Sequence, residues 1–359
     1  MRAARCEEYG GPGNVVVRDD IPAPVVTPGH VLVDVAAAAV NFPDLLFIAN
    51  RYQVAAPLPF TPGAEFAGRV AAVGDGVSGL SVADPVYGTV FNGAMAEQVL
   101  APARSVAPVP EGLSMTEAAA FRVTYLTAYH ALVTAGGLRP GQWVVVPGAA
   151  GGVGTATIDV AVRLGARVIA AASSAERLKV CLELGAEAGI DYVNEDLKQR
   201  IRDITGDGAD LVVDPVGDRW AEPALRAVRW GGRFVTVGFA GGDIPRIPLN
   251  IVLLKNITVR GLELRTWTER LPEETARAGE ALTELVASGL RPAVSEVYDL
   301  ADIGTALRRV AGRAATGKVV IRVAPGEGWQ RQAGLFKPVI ESVGAREGAT
   351  AFAEKRAPV

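Results

Sequence analysis

Pro147-Gly148-Ala149-Ala150-Gly151-Gly152-Val153-Gly154 constrains this chain more than any other stretch. Before it, Trp143-Val144-Val145-Val146 has the pattern of a buried parallel strand. After it, Val153, Ala156, Val160 and Leu164 recur at helical spacing. Strand, glycine turn and helix therefore follow one another directly. Glycines at 151, 152 and 154 let the backbone pass close to a bound group. The helix N-terminus offers that group unpaired N–H donors and the positive end of a dipole. This is the arrangement of a dinucleotide pyrophosphate site, with Gly151, Gly152 and Val153 as its contacts. Ala149 stands where a strict G-x-G-x-x-G has its first glycine, and a tight strand–helix turn without a ligand is the plainer alternative.

The next segment bears on that choice. Arg167 to Ala172 reads as a second strand. About 20 residues beyond the glycines, an NAD site carries an acidic residue for the ribose 2′-hydroxyl. Here Ser173 and Ser174 occupy that place, with Arg177 one turn later. Two hydroxyls and a guanidinium suit a 2′-phosphate, so the residues favour NADPH over NADH. Arg177 taken alone has an ordinary alternative, a solvated charge on a helix face.

With 359 residues the chain has room for two domains, each with its own core. Its 49% hydrophobic and 21% charged content is globular, and 41 glycines imply many turns. A net charge of −3 without a basic run leaves nucleic acid no electrostatic footprint. No apolar stretch reaches the ~20 residues of a membrane span. Met1-Arg2-Ala3-Ala4-Arg5 lacks the apolar core of a signal peptide, and Cys6 and Cys181 imply no disulfide framework. A cytoplasmic protein is the expectation.

Residues 1 to about 115 read as short strands and turns, with Val31–Val35, Ala67–Val73 and Ala96–Leu100 as candidate strands of a compact, irregular β barrel. Thr116 to Val133 is helical in pattern, and Ser114 with Glu117 marks its start as a capping box. From Gln142, strand-like runs recur at 143–147, 167–172, 188–192, 209–214, 232–237 and 257–261, with helical stretches between the first five. That alternation predicts a doubly wound parallel sheet. After Gly261 come a helix (Glu273–Ser288), a short strand, a helix (Ala301–Gly312) and Val319–Val323, read as the chain returning to finish its first domain. Residues 326–359 read as an appended tail, partly helical at most.

Together these residues resemble the zinc-free quinone oxidoreductase branch of the medium-chain dehydrogenase/reductase superfamily, over residues 1 to about 323. The resemblance rests on Val40-Asn41-Phe42-Pro43-Asp44, Pro62-Gly63-Ala64-Glu65-Phe66-Ala67-Gly68, Thr124-Tyr125-Leu126-Thr127-Ala128-Tyr129, Gly148 to Gly154, Asp214-Pro215-Val216-Gly217 and Gly317-Lys318-Val319-Val320. It implies an α/β chain in which a Rossmann-type doubly wound sheet is joined to an irregular GroES-like β-barrel catalytic domain. The expected division is 1–122 with 263–325 for the catalytic domain, 123–262 for the dinucleotide-binding domain and 326–359 for the tail. Zinc-dependent relatives carry a Cys where this chain has Asn41 and a His where it has Ala64, and often a four-cysteine lobe, whereas no cysteine occurs here between Cys6 and Cys181. His30 and His130 read as structural, so no metal site is expected.

Without a metal to polarise a carbonyl, the feasible acceptors are already electron-poor: quinones or α,β-unsaturated carbonyls. As negative charge grows on oxygen, the protein must supply a hydrogen-bond donor or a proton. The resemblance puts Asn41 near the nicotinamide and Tyr52 over the cleft as catalytic candidates. For Asn41 the alternative is a turn residue before Pro43, and for Tyr52 a surface ring beside Pro57 and Pro59. The family further implies cofactor contacts at Thr127, Gly238, Phe239, Arg313 and Tyr192, the last converging with Ser173 and Arg177 on the 2′-phosphate. Glu65 is expected to be structural. The implied activity is NADPH-dependent reduction of a small-molecule quinone or enone by a homodimer paired through the strand Ile257–Gly261. An enoyl-thioester (enoyl-CoA or acyl-carrier) reductase would look the same. A non-catalytic, crystallin-like NADPH-binding protein is the alternative from another class.

Overall fold

The computed structural model describes residues 1–323. The apolar runs after Gln142 form a six-stranded sheet in the order Ala188–Asp191, Arg167–Ala172, Trp143–Pro147, Ala209–Asp214, Val228–Thr236, Thr258–Gly261. Every pairing in it is parallel, as Val145 opposite Ile169 and Val212 opposite Val145 illustrate. Trp143–Pro147 and Ala209–Asp214 are buried throughout, which is why they are uninterrupted apolar runs rather than alternating ones. Strand order reverses on either side of Trp143–Pro147, so a crevice opens at its carboxyl end, the usual ligand position in such sheets. Two turns meet there. A Cβ added at Gly148 would lie 2.5 Å from the Val216 side chain.

The second sheet is mixed and seven-stranded, ordered Val294–Asp299, Lys318–Arg322, His30–Val40, Glu65–Val73, Pro85–Thr89, Val106–Pro108, with Gln98–Pro102 also on His30–Val40. His30–Val40 is its spine. Gln98–Pro102 pairs with its first half and Lys318–Arg322 with its last four residues, both antiparallel, while Glu65–Val73 runs along the other side. A separate hairpin joins Ala3–Cys6 to Val15–Arg18.

Sequence and structure part in a few places. The strand expected at Val31–Val35 continues through Ala36–Ala39, because the small side chains of Ala37 and Ala39 are covered by Ala118, Ala119 and Ala120 in one core. The single helix expected over Thr116–Val133 is Met115–Ala119, Arg122–Tyr129 and a π-turn, His130–Thr134. The break falls where the Thr124 hydroxyl takes the Ala120 carbonyl at 3.0 Å. The expected capping box is present: Ser114 N–H donates to Glu117 Oε2 at 2.8 Å, and Glu117 N–H to Ser114 Oγ at 3.3 Å. The reading of residues 326–359 as a tail lies outside the described residues. Among those described, no helix is long and apolar enough to cross a membrane.

The sheets share a core. Phe121 packs on Tyr87 from one side and Tyr125 on the other, with ring centres 6.0 and 4.8 Å apart. The backbone joins them too: Gly317 N–H donates to the Ala150 carbonyl at 2.7 Å, within an isolated bridge between Gly151 and Gly317.

Candidate functional site

The helix Gly152–Arg163 begins at the crevice with no side chain capping it, so its first N–H groups face outward for an anion. Gly154 serves packing instead. A Cβ there would sit 2.5 Å from the Gly148 and Ala149 carbonyl oxygens, so only glycine lets the helix start this close to the strand. Asp214 shapes the facing turn by accepting the Val216 and Gly217 N–H groups, each at 2.9 Å. Gly238 and Phe239 lie on the loop above it, where Ala240 and Gly241 donate to the Pro215 and Val216 carbonyls.

At the end of the second strand the structure gathers Ser173, Arg177, Tyr192 and Arg313. Ser174 caps the helix Ala175–Glu183 by accepting from Arg177 N–H at 3.4 Å, which leaves the exposed Ser173 hydroxyl free beside Tyr192. Burial pushes the Tyr192 hydroxyl above the usual tyrosine range, while Ser173 and the Arg177 and Arg313 guanidiniums oppose that rise. Tyr192 itself stacks on Trp220 at 4.4 Å. Arg177 donates to the Arg313 and Ala315 carbonyls, and Arg313 to the Gly241 carbonyl at 2.7 Å. Both guanidiniums are thus fixed in place by backbone before any ligand arrives. Two cations, two hydroxyls and an aromatic face make a site for a phosphate on a nucleoside.

The second cluster lies where the two sheets meet. Asn41 is buried, and its amide is fully engaged: Oδ1 accepts from Lys318 Nζ at 2.7 Å, and Nδ2 donates to Glu65 Oε2 at 3.2 Å and the Ala39 carbonyl at 3.4 Å. Lys318 also donates to the Val40 carbonyl at 3.2 Å and pairs with Glu65 Oε2 at 3.3 Å. The remaining Glu65 oxygen accepts Val123 N–H at 2.7 Å. This is a buried ion pair with its hydrogen bonds satisfied, the condition under which such a pair is tolerated. With both amide hydrogens turned inward, Asn41 keeps only an oxygen lone pair for a ligand. Asp44, fully buried beside it, accepts Asn41 N–H at 2.7 Å, and its second oxygen has no partner. Burial pushes its carboxyl up to about 7, against the opposing pull of the Asn41 N–H and Lys318. Lys318 did not stand out as a site residue in the sequence. The available signal was a lysine opening an otherwise apolar strand, Lys318-Val319-Val320-Ile321.

Lys318 also reaches the glycine turn. A Cβ at Gly152 would lie 2.9 Å from Lys318 Cδ, so the lysine stem passes over the start of the glycine-turn helix. Thr127, buried nearby on Arg122–Tyr129, donates its hydroxyl to the Val123 carbonyl at 2.6 Å. Tyr52 is half-buried and stacked on Phe47 at 4.4 Å, which in turn meets Phe91 edge-on at 4.8 Å. The Tyr52 hydroxyl donates to Glu263 Oε1 at 3.2 Å. Glu263, also absent from the sequence-based candidates, follows the last strand of the parallel sheet, so this contact ties the segment after Phe42–Ile48 to the point where the chain leaves that sheet. His130 is buried with Nδ1 3.0 Å from Thr134 Oγ1, and His30 meets the Pro28 carbonyl at 3.0 Å. Among the described residues, no group of three or more His, Cys, Asp or Glu is arranged to hold a metal ion.

Comparison with known proteins gives this geometry a family context. Residues 27–111 match the alcohol dehydrogenase GroES-like domain, and residues 152–280 match the family described as zinc-binding dehydrogenase. A quinone oxidoreductase-like protein 2 homolog of Nematostella vectensis is 37% identical over 325 residues, spanning 89% of this chain and 88% of its own. The quinone oxidoreductase of Thermus thermophilus, solved also in complex with NADPH, is 35% identical with a TM-score of 0.78, covering 90% of this chain and 100% of its own. A mycobacterial protein solved with NADPH has a TM-score of 0.84 at 32% identity, with coverage of 90% and 100%.

Proposed function

Because this chain belongs to the quinone oxidoreductase branch of the medium-chain dehydrogenase/reductase superfamily, we propose that it reduces quinones or activated alkenes with NADPH and without a metal ion. It is an NADPH-dependent oxidoreductase. The observation that carries the cofactor choice is the convergence of Ser173, Arg177, Tyr192 and Arg313, a set that fits a ribose 2′-phosphate and would repel nothing on it. We place the pyrophosphate at the bare N-terminus of Gly152–Arg163. We divide the chain, as the family resemblance implies, into a catalytic domain of 1–122 with 263–325, of which 324 and 325 lie outside the described residues, and a dinucleotide-binding domain of 123–262. The metal-free reading rests on donor chemistry. Ala64 has no ligand atom, and Asn41 Oδ1 lies 2.7 Å from the Lys318 ammonium, which opposes any cation placed there.

When bound, NADPH supplies the hydride. The chain's own residues position the reactants and answer the charge that develops. Lys318 and Glu65 clamp the Asn41 amide, so that its free lone pair is presented in one orientation for a carboxamide N–H. Thr127 lines the same side. Tyr52 is the donor closest to hand for the acceptor's oxygen, on a ring that Phe47 holds. The exposed edge strand Thr258–Gly261 supports pairing into a homodimer.

The test is Tyr52→Phe, which keeps the ring and removes the hydroxyl. Loss of one oxyanion donor costs ~10²–10³ in turnover in well-studied sites. For an enone or enoyl-thioester, kcat is expected to fall towards that range with NADPH affinity unchanged. For a quinone, which can take protons from water after reduction, the loss is expected to be far smaller. If every acceptor stays within a factor of about three, under 1 kcal/mol, Tyr52 only lines the site.

A further inference from the structure

A tyrosine hydroxyl has a single hydrogen, and here that hydrogen is committed. Tyr52 donates it to Glu263 Oε1 at 3.2 Å. Glu263 is in turn held rigidly. Its Oε2 accepts Thr266 N–H at 2.8 Å and the Thr266 hydroxyl at 2.5 Å, and Oε1 accepts Arg265 N–H at 3.3 Å, which caps the helix Leu264–Arg270. Partial burial raises its carboxyl pKa, but the Thr266 bonds and the Arg265 charge outweigh that and hold it below the usual range. Glu263 is therefore an anion at neutral pH and accepts only. In this arrangement Tyr52 offers a ligand a lone pair, not a proton.

We propose that Glu263 is a positioning residue for Tyr52: its carboxylate holds the tyrosine hydrogen, and Tyr52 becomes a donor only when a bound acceptor's oxygen takes over that hydrogen bond. This rests on the reading of Tyr52 as the donor. It also ties the donor to two segments 211 residues apart, since Tyr52 follows the helix Phe42–Ile48 and Glu263 follows the sixth strand of the parallel sheet. The charged groups facing the hydroxyl are Glu263 and Arg265, of which Glu263 raises its pKa along with burial and Arg265 lowers it.

Glu263→Gln tests the exchange while keeping both Thr266 bonds of the helix cap and giving up only the 3.3 Å bond from Arg265 N–H. The two Thr266 donors require the amide oxygen in the place of Oε2, so the amide nitrogen faces Tyr52 and donates to it, freeing the hydroxyl hydrogen. Two readouts follow. Ultraviolet titration, with the Tyr52→Phe spectrum subtracted to isolate this residue, should show ionisation moving down by about one unit as the neighbouring anion is lost. Enone kcat/KM should rise several-fold to about tenfold, the range set by one hydrogen bond to a charged group. In the Tyr52→Phe background the same change should alter kcat/KM by less than about twofold. An unmoved titration, or an equal effect of Glu263→Gln in both backgrounds, overturns the positioning role. If Tyr52→Phe alone leaves turnover undiminished, the donor reading fails, and the titration then reports the contact as structural only.

Discussion

Arg177, Arg313 and Lys318 are each held in place by oxygens of the chain itself. Arg177 illustrates the consequence. Its guanidinium is anchored on the Arg313 and Ala315 carbonyls, so little of its mobility is left to lose when a phosphate arrives. A charge-assisted hydrogen bond to phosphate contributes about 1.5–3 kcal/mol, or roughly ten- to a hundredfold in affinity. Arg177→Ala is therefore expected to weaken NADPH binding by that factor while barely changing NADH binding. Isothermal titration with the two cofactors checks this, and equal losses would assign Arg177 to structure. Arg177 was legible in the sequence because a short motif, Ser173-Ser174-Ala175-Glu176-Arg177, places it after a strand. Lys318 was not. Its partners Asn41 and Glu65 lie 277 and 253 residues away, and no local pattern reports that a charge in a strand points inward to meet them.

At the scale of elements, the helix Phe42–Ile48 is built on a buried carboxylate. Asp44 accepts the N–H of Asn41, the residue before the helix, and its pKa is pushed from 3.8 up to about 7. Between those values the folded protein keeps a proton that the unfolded chain has released. Stability therefore falls as pH rises through this window and levels off above it. At about 1.4 kcal/mol per unit the effect amounts to a few kcal/mol. Asp44→Asn keeps the acceptor and removes the titration. Urea unfolding across the range should show the variant gaining on the wild type from pH 4 to pH 7, with no further gain above. Parallel slopes for the two proteins would rule out Asp44 as the cause. The strands of the parallel sheet were readable for a simple reason. Burial on both faces leaves continuous apolar runs such as Leu211-Val212-Val213. The barrel strands were harder, because Ala36–Ala39 owes its strand conformation to neighbours on both sides rather than to its own propensity.

At the scale of the molecule, the edge of the parallel sheet at Thr258–Gly261 is uncovered among the described residues. Thr258–Gly261 is exposed along its length, and the helix before it presents Leu249 and Leu253 at 73% and 80% exposure. An unblocked edge beside an apolar helix face favours two-fold pairing. Light scattering at micromolar concentration is expected to give about twice the 37.4 kDa chain mass, and a monomer mass would dismiss the homodimer. The order of the other sheet has a consequence for biosynthesis. Lys318 and Val40, neighbours across that sheet, are 278 residues apart. The ribosome thus releases the spine of the barrel early and its adjoining strand last, whereas the parallel sheet, 143–261, emerges as one uninterrupted block. The later-made half is expected to mature first. Brief proteolysis of stalled nascent chains of increasing length reads that order: protection should reach 143–261 while His30–Val40 is still cut. The opposite sequence of protection would mean that the early strands close without their final partner.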